Sequence, residues 1–160
     1  MLNKSYKEVL ILGLNNDQIP YILIIKKLGY KIFGVDKNEN APGKKYCDYF
    51  KKTSYTNVKK IIKFLKNKKF SSNGFFFTAS SQISLLSLAK IAKKLNIKFV
   101  SPKIIDKCID KSKMNKLFKK NKISTAKTKY ILNKKITVDK NREYFLKSDY
   151  GKSPKYCFLI

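Results

Sequence analysis

With 160 residues, 43% of them apolar, the chain is long enough to bury a core without disulfides and too apolar to be a disordered tail. Its formal charge of +27 points first to nucleic acid. However, every basic residue except Arg142 is lysine, whereas readers of phosphates and bases favour the planar fork of arginine.

The lysines accompany abundant isoleucine and asparagine, a bias that AT-rich coding produces throughout a proteome, so most of the charge is assigned to solvated helix faces. Nucleic acid is therefore not the expected partner. Histidine is absent, which excludes a histidine base or metal ligand. Cys47, Cys108 and Cys157 are odd in number and far apart, matching neither a disulfide framework nor a zinc site. Asn15-Asn16-Asp17 interrupts the first apolar run too early for a signal peptide, and no segment approaches the roughly 20 apolar residues of a membrane span. A cytoplasmic protein with reduced thiols and no membrane contact is expected.

The segment from Val9 to Asp36 reads as strand, turn, helix, strand. Val9 to Leu12 is short, β-branched and continuously apolar, as in a strand covered on both faces, and Gly13 ends it at a sharp turn. Asp17 and Pro20 suit the start of a helix running from Gln18 to Leu28, and Gly29 stops it. A second strand, Lys31 to Val35, closes on Asp36. The turn after the first strand lies at a strand's carboxyl end, where such βαβ units place ligands. Gly-Leu-Asn-Asn-Asp-Gln is not the dinucleotide fingerprint, so nicotinamide binding is not expected. Asp36 has two readings, a turn residue or a partner for a ribose hydroxyl.

Lys37 to Gly43 is a loop, and Lys44 to Phe50 a short helical turn or an irregular connection. Thr56 is the expected cap of a helix whose Val58, Ile61, Ile62 and Leu65 share one face. Phe75 to Thr78 reads as a buried strand, Ala79 to Gln82 leads into a helix, and Lys98 to Val100 reads as a fourth strand. The alternation predicts a small, mostly parallel α/β sheet with helices on both faces. Beyond Pro102 two short helices are expected, over Ile104–Ile109 and Ser112–Asn121. Strands follow at Thr128–Leu132, Tyr144–Lys147 and Tyr156–Ile160.

In order, these landmarks resemble the amino-terminal part of ATP-grasp carboxylate-amine ligases such as carbamoyl-phosphate synthase large chains, biotin carboxylases and purine-pathway ligases. They are the strand-Gly turn, Lys27-Leu28-Gly29-Tyr30-Lys31, Val35-Asp36, and Asn40-Ala41-Pro42-Gly43 running on to Asp48. Thr78-Ala79-Ser80-Ser81, Ser101-Pro102, Asp110-Lys111 and Ile123 to Lys127 complete the series.

The resemblance implies a Rossmann-like pre-ATP-grasp domain over 1–101, linker helices over 102–125 and the incomplete opening of an α+β ATP-grasp domain over 126–160. It also implies ATP as cofactor, contacted by Lys111 and Lys147, with Gly151 and Ser153 in the loop that covers the phosphates. That loop departs from the family pattern, because Ser148 stands where proline is usual and Gly151 is its single glycine. Gly13, Asn15, Asn16, Thr78, Ser80 and Ser81 would face a small carboxylate substrate. Magnesium accompanies ATP, with its ligands expected beyond Ile160, so the chain alone is expected to be inactive, with a homodimer as the assembly to test.

Two other readings are a non-catalytic Rossmann-like module holding a nucleotide or partner chain, and a basic nucleic-acid binder. The latter needs lysines gathered on one face with exposed aromatics, whereas Phe75 to Phe77 read as core.

Overall fold

The computed structural model describes residues 7–71, 73–78, 80–128, 139, 141, 143–149 and 157–159. Contacts divide the chain into two compact units, Met1–Ile105 and Asp106–Ile160.

In the first unit, β1 (Glu8–Leu12), β2 (Lys31–Asp36), β3 (Tyr49–Lys52) and β4 (Phe75–Phe77) form one sheet. All neighbours are parallel, in the order β3-β2-β1-β4. Helix α1 (Ile19–Lys27) connects β1 to β2, α2 (Val58–Asn67) connects β3 to β4, and α3 (Gln82–Leu95) follows β4. A further helix, α4 (Pro102–Ile109), crosses the boundary between the units.

Strand side chains alternate between faces, and each face has its own cover. Val9, Ile11 and Ile32 pack with Ile22 of α1, Leu14 and Ala41. Leu10, Leu12, Phe33 and Val35 pack with Ile61, Phe64 and Leu65 of α2 and with Leu88 and Ile91 of α3. The expected doubly covered parallel sheet is therefore present, and its strand order changes direction at β1 and β4.

Several local expectations differ. The connection before residue 51 contains β3, whose Tyr49 pairs with Phe33 and brings its ring to 4.8 Å from it. Two lysines conceal this strand, and an edge position tolerates them. Residues 98–100 do not form a strand. Instead Phe99 packs edge-on to Phe76, 5.9 Å between ring centres, without joining the ladder. The run Phe75–Phe77 lies at the other edge, so Phe75 remains 59% exposed rather than buried. Asn57, not Thr56, caps α2, accepting the Lys60 amide at 3.2 Å.

In the second unit, α5 (Lys111–Lys120) is capped by Asp110, and β5 (Phe145–Lys147) pairs antiparallel with β6 (Cys157–Leu159). Thr128 is described and is not in a strand, while residues 129–132 of the expected strand lie outside the described residues.

Candidate functional site

At the carboxyl end of β1, Gly13 turns the chain with φ +81°. A Cβ there would stand 2.7 Å from Ser80 Oγ and 2.8 Å from Gln18 Nε2, so both the backbone angle and the space require glycine. Gly13 N donates to the Val35 carbonyl at 2.8 Å, and Leu14 N donates to Asp36 Oδ2 at 2.8 Å. Asp36 Oδ1 accepts the Asn38 amide at 2.8 Å. Asp36 thus ties the turn after β1 to the end of β2, which is the turn role among its two readings. Gly43 seals the same turn from outside, its amide donating to the Leu14 carbonyl at 2.9 Å.

The end of β4 meets this turn. Thr78 Oγ1 donates to the Leu12 carbonyl at 2.9 Å and lies 2.7 Å from Ser84 Oγ. Ser81 caps α3 by accepting the Ser84 amide at 3.1 Å, and Ser84 Oγ accepts the Ser81 amide at 3.0 Å. Each satisfies a backbone donor that the first helical turn would otherwise leave without a partner. Ser80 lies against Gly13, and its amide donates to Thr78 Oγ1 at 3.2 Å.

Gly13, Thr78, Ser80 and Ser81 therefore converge where the strand order reverses. Asn15 and Asn16 follow in the adjoining loop and are exposed, Asn15 donating to Asp17 Oδ2 at 3.2 Å. This end of the sheet offers hydroxyls, amides and one anchored carboxylate, a set suited to holding polar ligand groups rather than moving protons. The nearby Cys47 thiol adds no nucleophile. Burial, with Asp48 beside it, pushes its pKa up to about 12, so it stays protonated at neutral pH.

Buried Gln18 went unread in the sequence. Its Nε2 donates to the Leu12 carbonyl at 3.2 Å and also to the Gly13 carbonyl, holding the turn from beneath. No local pattern marks such a role, because Gln18 precedes α1 and bonds backward. Ser84 also went unread, although Ser81 and Ser84 have the spacing of a reciprocal cap, with serine replacing the usual Glu or Gln.

In the second unit, Lys111 opens α5 and Lys147 ends β5 opposite Cys157. Asp149, two residues beyond Lys147, accepts the Lys111 amide on its carbonyl at 3.0 Å and the Ser112 amide on Oδ1 at 2.7 Å. Asp110 Oδ1 accepts the Lys113 amide at 2.9 Å, and that bond, helped by the Lys113 ammonium, holds the Asp110 carboxyl below its usual range. The first turn of α5 is thus already bonded to carboxylate and carbonyl oxygens. Gly151 and Ser153 lie outside the described residues. Among the described residues no three His, Cys, Asp or Glu side chains gather to hold a metal ion, and no helix is long and apolar enough to cross a membrane.

No protein-family model matches the sequence, and no curated protein does. Solved structures do match. Phosphoribosylglycinamide synthetase from Anaerococcus prevotii aligns over 91% of this chain and 33% of its own, at 22% identity and TM-score 0.64. N5-carboxyaminoimidazole ribonucleotide synthetase from Thermotoga maritima aligns over 96% of this chain and 41% of its own, at 19% identity and TM-score 0.67. N5-carboxyaminoimidazole synthetase from Staphylococcus aureus, complexed with ADP, aligns over 71% and 30%, at 20% identity and TM-score 0.54. The chain spans about a third of the length of the first and about two-fifths of the second. Over that span, it shares the fold of these synthetases.

Proposed function

We propose that this chain is the amino-terminal part of an ATP-dependent carboxylate-amine ligase. Residues 1–101 serve as the pre-ATP-grasp domain, 102–125 as linker helices and 126–160 as the opening of the ATP-grasp domain. The parent enzyme uses ATP to convert a small carboxylate into an acyl phosphate, from which an amine displaces phosphate, and it works in the cytoplasm. The observation that carries this reading is the alignment of 96% of the chain, both units included, with one synthetase. The ADP complex of a second neighbour supports nucleotide binding.

In this reading, Gly13, Thr78, Ser80 and Ser81 form one wall of the substrate cleft, with Asn15 and Asn16 at its mouth. The Ser80 hydroxyl and the side-chain amides of Asn15 and Asn16 donate to carboxylate oxygens, the turn amides and Thr78 hold the wall in place, and the positive end of α3 favours that anion. Lys111 and Lys147 bind ATP phosphates, with Gly151 and Ser153 in the covering loop. ATP supplies the phosphoryl group that activates the carboxylate. Magnesium accompanies the ATP, its ligands supplied in this reading by parts of the parent enzyme outside this chain.

Calorimetric titration of Mg-ATP into the chain, and into Lys111→Ala and Lys147→Ala variants, tests this assignment. Micromolar binding, weakened by either change, is the expected result. A folded chain that releases no heat on titration would sink the ATP half-site and leave only the cleft wall.

A further inference from the structure

Along the outer edge of the sheet, β3 and α2 wall a groove of about 560 Å³. Five lining residues are lysines: Lys51 and Lys52 from β3, Lys60 and Lys63 from α2, and Lys68 just after it. Phe50, Phe64 and Asn67 complete the lining, and no acidic residue contributes. Among the described residues, the one carboxylate paired with any of these lysines is Glu39. It stands 3.8 Å from Lys52 while bonded to Lys44 at 2.5 Å. Lys68 Nζ lies 5.1 Å from the centre of the Tyr49 ring.

A lysine on a convex helix face is screened separately by water. Here five lysines border one concavity. Lys60 and Lys63 share a face of α2, three residues apart, and the edge strand opposite adds Lys51, on the same face of the sheet as Tyr49, while Lys52 follows Phe50 to the other face and reaches Glu39. Like charges around a concave wall focus positive potential, and a bound anion relieves their repulsion. Ammonium groups act as point charges, each able to meet a phosphate without the bidentate geometry that arginine imposes. From Lys60 to Lys68 the helix rises about 12 Å, which matches a run of phosphates better than a single one.

We infer that this groove binds a linear chain of phosphates, supplied by a single-stranded nucleic acid or by inorganic polyphosphate. The site is separate from the carboxyl ends of β1 and β4 and does not depend on the ligase reading.

The test uses the full chain with a labelled oligothymidylate, followed by fluorescence anisotropy across a salt series, and with inorganic polyphosphate followed by calorimetry. The Lys60→Gln/Lys63→Gln double variant is compared with Lys59→Gln/Lys66→Gln, which removes two charges from the same helix outside the groove. Circular dichroism verifies that each is folded. Affinity is expected to fall about tenfold in the groove pair and by less than about twofold in the control pair. The salt slope for the oligonucleotide falls by about 1.4 in the groove pair alone. Binding of both probes, or of one alone, supports the site and identifies the source of the phosphates. Equal losses in the two pairs, no binding of either probe, or displacement by polyglutamate as effective as by polyphosphate would overturn it.

Discussion

The two units are stabilised differently. Among the described residues, the largest fully buried side chains, from Leu10 and Phe33 to Ile91 and Gln18, all lie in Met1–Ile105, and they come from strands and helices far apart in sequence. In Asp106–Ile160, the described residues that are buried are Ile109 and Asn115, while Leu117, Ile123 and Phe145 stay exposed. Its described elements are organised by hydrogen bonds at the start of α5, from Asp110 and Asp149. The first unit is therefore held by area removed from water, and the second, where described, by a few directional bonds.

Three substitutions would break or sharpen that contrast. The largest effect is expected from Phe33→Ala. Phe33 is fully buried, with rings of Tyr49 and Phe70 within 5 Å centre to centre, and the cavity should cost about 3 to 5 kcal/mol in urea denaturation. A loss under about 1 kcal/mol would mean that burial does not dominate the first unit.

Gln18→Leu comes next. It keeps the volume but removes the donor to the Gly13 carbonyl, while the Leu12 carbonyl retains Thr78. A cost of about 1 to 3 kcal/mol is expected in the same assay. An unchanged midpoint would show the turn to be held by Gly13 and Asp36 alone.

The smallest effect belongs to Asp149→Ala. Hydrogen exchange at the Ser112 amide should quicken severalfold, with protection in β1 and β2 unchanged. An unaltered Ser112 rate would remove Asp149 from the account of α5.

Much of the first unit was legible. Val9 to Leu12, the Ile-rich helix after Pro20, and Lys31 to Val35 are strong local signals, because continuous apolar runs bounded by Gly13 and Gly29 admit few other structures. Lys51 and Lys52 hid β3, whose place depends on β2 lying beside it. Phe99 reads as a strand residue and is nevertheless outside the ladder, its ring packed edge-on to Phe76 instead. At the candidate site, Gly13, Thr78 and Ser81 were readable from turn and cap chemistry. Gln18 and Asp149 were not, because their partners are set by backbone that arrives from elsewhere in the fold.

Composition and periodicity alone determined that this chain builds a parallel sheet covered on both faces and uses no histidine chemistry, since those properties depend on residue type and spacing. Only the tertiary structure decided which strands form the edges, which lysines converge along one of them, and that Ser80 is pressed against Gly13. Those outcomes depend on strand order, which is set by long-range burial summed over many side chains rather than by any one segment.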